Sequence, residues 1–199
     1  MFLDPPVPGD SAQRLFDNDE KYMGWVMNVS RLWAWQPENQ QTLFDLLDAV
    51  ADGFSMRQRA ILVAACASTF GDSYCSLAWG GKLAKETDAA TSVGVLTGSD
   101  DGLTDAEQAM ARWARAVAGD PNATTQADVD GLRAVGFSDA DIFAMTAFVG
   151  LRIAFSTVND ALGAQPDPEL RGFSPSEVIA VVDYGRPIAD DDDSSRTGG

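Results

Sequence analysis

The sequence predicts an all-α fold, and three observations carry that expectation. Helix-start signals, Ser or Thr followed three residues later by Glu, Gln or Asp, recur along the chain. Apolar residues fall at three- and four-residue intervals, as in Ile142, Met145, Phe148, Val149 and Ile153. Alternating apolar and polar runs of strand length are nearly absent. The pattern predicts one bundle of about seven or eight helices, without an internal repeat.

Residues 1–12, MFLDPPVPGDSA, are rich in proline and glycine and are expected to lie extended on the surface. A helical domain is expected over residues 13–188. Within it, Ser55-Met56-Arg57-Gln58 reads as a capping box for a helix from Met56 to Phe70. Asp72 is placed to cap the next helix, which puts Cys75 at its third position. Asp88 is read as the cap of the helix after that. Thr104-Asp105-Ala106-Glu107 opens another, expected to stop before Gly119-Asp120-Pro121. Thr125 and Asp128 start a short helix closed by Gly136. Ser138 and Asp141 have cap spacing ahead of a long apolar helix ending near Gly163. Ser174-Pro175-Ser176-Glu177 repeats the signal, with proline at the first helical position. Residues 189–199, ADDDDSSRTGG, form an acidic tail expected to be disordered and dispensable for folding.

Composition narrows the function classes. The chain has 199 residues, enough for one core, and 30 acidic against 14 basic residues give a formal charge of −16. That charge repels phosphate backbones and anionic headgroups, so neither nucleic-acid nor membrane binding is expected. Two cysteines without a secretion signal are expected in a reducing cytoplasm. There is no histidine, so imidazole chemistry is excluded, and with no cysteine cluster no metal and no other cofactor is expected.

One stretch carries a resemblance. Residues 55–84, SMRQRAILVAACASTFGDSYCSLAWGGKLA, are similar to the core motif of the carboxymuconolactone decarboxylase and alkylhydroperoxidase D (AhpD)-like superfamily. In its peroxidase-related branch that motif reads E-R-E, an apolar helix, then C-x-Y-C-x-x-x-H. The segments MGWVMNVSRLWAWQPE (23–38), LTDAEQAMARWARAVAGDPNATTQADVDGLRAVGFSDADI (103–142) and FSTVNDALG (155–163) extend the resemblance over residues 13–170. It implies an AhpD-like helical bundle, a hydroperoxide-reducing activity served by a dithiol partner, and a homo-oligomer, as dimer, trimer or hexamer. The five Trp and ten Phe favour an oligomer independently, as more large apolar surface than one modest bundle hides.

Aligned through Tyr74-Cys75, the chemical positions of the motif are mostly replaced. Asp72 stands at the first cysteine, Trp79 at the histidine and Ala60 at the second glutamate; Gln58 precedes the retained Arg59. A thiolate that attacks peroxide becomes a sulfenic acid, which a second thiol captures as a disulfide. Here the resolving thiol and both proton carriers are missing. For Cys75, a helix N-terminus favours the thiolate, whereas the Asp72 carboxylate and desolvation under Trp79 oppose it. Cys66, among Ala64, Ala65 and Ala67, reads as core, and a Cys66–Cys75 disulfide is not expected.

Arg59, Tyr74, Trp79 and Arg152 are the pocket candidates; Arg59 also reads as a structural ion pair, and Arg152 as a partner for an acid or a small anionic ligand. Asn159 is expected to hydrogen-bond a neighbouring helix, and Trp25, Trp33 and Trp35 to pack in the core or a subunit contact, with a ligand pocket as their second use. Three functions stay open. The first is a non-redox or weakly active homologue binding a small apolar ligand. The second is a single-cysteine peroxidase acting through Cys75 on a peroxide substrate. The third is a lactone decarboxylase-like enzyme.

Overall fold

The computed structural model describes residues 1–190. Eleven α-helices follow in order among them, eight of which have seven or more residues: α1 (Asp10–Tyr22), α2 (Asn28–Trp33), α3 (Pro37–Val50), α4 (Met56–Phe70), α5 (Ser73–Glu86), α6 (Ala89–Thr97), α7 (Asp105–Gly119), α8 (Gln126–Ala134), α9 (Asp139–Ala161), α10 (Leu170–Phe173) and α11 (Ser176–Val181). No strand occurs among the described residues.

The helix starts are where the caps predict. Ser55 and Gln58 form a reciprocal capping box on α4, as do Thr104 and Glu107 on α7 and Ser138 and Asp141 on α9. At α8 the Thr125 N–H donates to Asp128 at 2.7 Å. Glu107 also accepts from Arg57 through both oxygens, tying the start of α7 to that of α4.

The axis of the bundle is α4. From Ala60 to Ala67 every residue is buried, so the helix is apolar all round and needs neighbours on every side. Helices α5, α6, α7 and α9 supply them, and the alanines let those neighbours approach closely. Gly71 ends α4 with φ of +83°, a conformation only glycine adopts without strain. The chain reverses there, and α5 returns along α4. On the far side of α5, a Cβ on Gly81 would lie 2.5 Å from Ser174 Oγ, so α10 and α11 sit directly on the α5 backbone.

Helix α9 is the one helix among the described residues long and apolar enough to cross a membrane by length and composition. It packs against α3, α4 and α7 and buries Arg152 and Asn159.

Three boundaries differ from expectation. The extended N-terminal segment ends at Gly9 rather than at residue 12, because Ala12 is buried as part of α1. Ser174 does not cap α11; its hydroxyl donates to the Leu77 carbonyl at 2.8 Å, and Pro175 precedes the helix. Ala189, the expected start of the acidic tail, is 4% exposed, and its N–H donates to the Pro166 carbonyl. The packed chain therefore reaches at least that far, and residues 191–199 of the expected tail lie outside the described residues.

Candidate functional site

Asp72 is the N-cap of α5, and its Oδ1 accepts the Cys75 N–H at 2.9 Å. The second oxygen, Oδ2, accepts the Ser156 hydroxyl at 2.5 Å. Asp72 is fully buried and Cys75 is 3% exposed. Ser156 and Arg152 are one turn apart on α9 and face the same place. Arg152 Nη2 lies 3.2 Å from Cys75 Sγ, so a buried thiol sits between a buried carboxylate and a buried guanidinium.

The opposing charges do not cancel at the sulfur. Burial pushes the Cys75 thiol well up and the Asp72 charge pushes it further, against the lowering effect of Arg152. Cys66, deeper in α4, is pushed up to about 12 by burial. Both cysteines are free.

Cys75 opens onto a pocket of about 420 Å³ between α1, α2, α3, α5 and α9. Trp79 and Phe155 flank the Arg152 guanidinium, with ring centroids 5.2 and 5.3 Å from its carbon. Lys82 Nζ also sits 4.2 Å from the Trp79 centroid. Cys75, Trp79 and Lys82 are spaced i, i+4, i+7 and share one face of α5. Burial pushes the Lys82 ammonium down, and the charge of Arg152 adds to that.

The candidates are only partly brought together. Tyr74, Cys75, Trp79 and Arg152 line the pocket. The Tyr74 hydroxyl is tied, donating to Asp167, whose other oxygen accepts the Asn28 N–H at 2.7 Å. Arg59 does not belong there. It binds the carbonyls of Ala51 and Phe54 and pairs with Asp48 at 3.1 Å, closing the turn between α3 and α4. Ala60 is in the core, fully buried. Asn159 accepts from Trp33 Nε1 at 2.8 Å, as expected of a helix tie. Trp33 stacks on Phe155, while Trp25 meets Phe173 and Trp35 stays exposed, so the three indoles do not form one cluster. Sequence reasoning does not single out Lys82, although its seven-residue spacing from Cys75 puts it on the same helix face.

Two carboxyls, Asp167 buried and Asp160 half-buried, give the fold a pH signature. Burial raises Asp167 to about 6 and Asp160 to about 7; the Asp72 charge adds to the second, while the Tyr74 and Asn28 bonds restrain the first. An acid whose folded pKa is raised is protonated more readily when folded. Its contribution is present at low pH and is lost as pH rises through the folded value. The melting temperature is therefore expected to fall between pH 5 and pH 8, with Asp160→Asn flattening part of the slope. A flat or rising profile in wild type would contradict this assignment.

No family model matches the chain, and no curated protein matches it in sequence. Its structure is similar to that of an AhpD-core, peroxidase-related protein from Ralstonia eutropha JMP134, at 22% identity and TM-score 0.70, over 85% of this chain and 93% of that one. A peroxidase-related protein from Silicibacter sp. TM1040 is similar at 22% identity and TM-score 0.75, over 86% and 94%. The debrominase Bmp8, solved with 2,3,4-tribromopyrrole, is similar at 18% identity and TM-score 0.68, over 87% and 95%.

Proposed function

Given an AhpD-like fold, we propose that this chain is a homologue that binds a small ligand in the pocket beside Cys75 and does not run the two-cysteine relay. One observation carries the reading. The group at residue 72 is a carboxylate already holding the Cys75 N–H and the Ser156 hydroxyl. A sulfenic acid formed at Cys75 has no thiol at that place to condense with. The buried Cys75 thiol, raised rather than lowered, adds support, since the thiolate is the nucleophile. The small aromatic carried by Bmp8 suits a pocket walled by Trp79 and Phe155.

Peroxide turnover tests it. With hydrogen peroxide or an organic hydroperoxide and a dithiol reductant, the protein is expected to add nothing to the uncatalysed rate. Turnover on the order of 1 s⁻¹ or faster, abolished by Cys75→Ser, would overturn the reading. A second reading, a single-cysteine peroxidase resolved by an external thiol, is favoured by Arg152 Nη2 at 3.2 Å from the sulfur and predicts that outcome.

We also propose a homo-oligomer in a reducing cytoplasm. Tyr22, Trp35, Leu46 and Phe143 are large exposed apolar residues, and both thiols are free. Sedimentation equilibrium giving a clean monomer at micromolar concentration would remove the oligomer.

A further inference from the structure

Two cations line the pocket, and neither has a carboxylate at ion-pair distance among the described residues. Arg152 is 4% exposed, and among the described residues the partner of its guanidinium is the Cys75 sulfur, a weak acceptor. Its Nε is buried with no hydrogen-bond partner. Five N–H donors on a charged group removed from water demand more than one sulfur contact. Lys82, half-buried over the Trp79 ring, likewise has no carboxylate at ion-pair distance among the described residues.

In a chain with 30 acidic residues this is a specific absence. The acids near the pocket are engaged elsewhere. Asp19 accepts the Met27 N–H at 2.9 Å, and Asp48 pairs with Arg59. Asp72 lies behind Cys75 and is held by the Cys75 N–H and Ser156.

A second buried group points the same way. Gln40 is 4% exposed and lines the pocket, and its Oε1 has no donor. The pocket is thus lined by a buried cation whose Nε lacks a partner, by an unpartnered acceptor and by aromatic side chains.

Resting on the pocket reading above, we infer that the ligand is a small aromatic monocarboxylate, its carboxylate on Arg152 and Lys82 and its ring against the apolar lining of Met27, Phe44 and Phe155. A planar guanidinium accepts a carboxylate through two parallel hydrogen bonds, and Lys82 supplies a second positive charge. A hydroxyl on the far side of the ring reaches for Gln40.

The probe is 4-hydroxybenzoate, with 4-hydroxybenzamide as its neutral counterpart, each titrated calorimetrically into the full chain. The acid is expected to bind once per chain, and the amide at least about tenfold more weakly. Lys82→Met, at a half-buried position and checked by a cooperative melt, is expected to weaken the acid about fivefold or more and leave the amide unchanged. Equal binding of acid and amide would overturn the carboxylate while leaving the pocket as a ligand site. Acid binding unchanged by both Lys82→Met and Arg152→Gln, each verified by a cooperative melt, would overturn the location. No binding of either compound at millimolar concentration would overturn this inference together with the ligand-binding reading.

Discussion

Iodoacetamide added to the folded protein at neutral pH is expected to leave Cys66 and Cys75 unmodified long after the denatured chain has reacted completely. The thiolate is the reacting species, and burial holds Cys66 at about 12 against an ordinary value near 8.5. That alone lowers the thiolate fraction by roughly three to four orders of magnitude. Cys75 is raised as well and is 3% exposed, so access adds to protonation. Intact-mass measurements over time, with and without denaturant, give both rates. Asp72→Asn removes the negative neighbour while keeping an oxygen for the Cys75 N–H, and it should speed Cys75 relative to wild type. Rapid native alkylation of Cys75 in wild type would favour the single-cysteine peroxidase instead.

Asp72→Ala is expected to be among the most damaging single substitutions in the chain, costing about 2–4 kcal/mol. Three losses coincide. The α5 N-cap acceptor for the Cys75 N–H disappears. The Ser156 hydroxyl, buried on α9, loses its carboxylate. Arg152 is left in the interior without the nearby negative charge that Asp72 supplies across the thiol. Denaturant unfolding followed by circular dichroism measures the difference. Asp72→Asn retains the cap and a partner for Ser156, so it should cost markedly less. If alanine and asparagine prove equal, the cap and the Ser156 bond are not what Asp72 contributes.

Most of the helices were legible in the sequence because their signals are local. A capping box joins residues three apart, so Ser55 with Gln58, Thr104 with Glu107 and Ser138 with Asp141 set the starts of α4, α7 and α9 without reference to the rest of the chain. Asp72 and Asp88 as N-caps follow for the same reason. Even the shared face of Cys75, Trp79 and Lys82 was there to be read.

The site's electrostatics were not. Arg152 and Cys75 are 77 residues apart, and nothing in either neighbourhood names the other. They meet because α9 and α5 both pack on the apolar surface of α4, and that docking fixes which face of α9 turns towards the sulfur. The same packing places Ser156 on Asp72, brings Tyr74 to Asp167, and leaves Arg59 outside, on the α3–α4 turn. Local chemistry decides where a helix begins; only the close packing of several helices decides which charges are removed from water together.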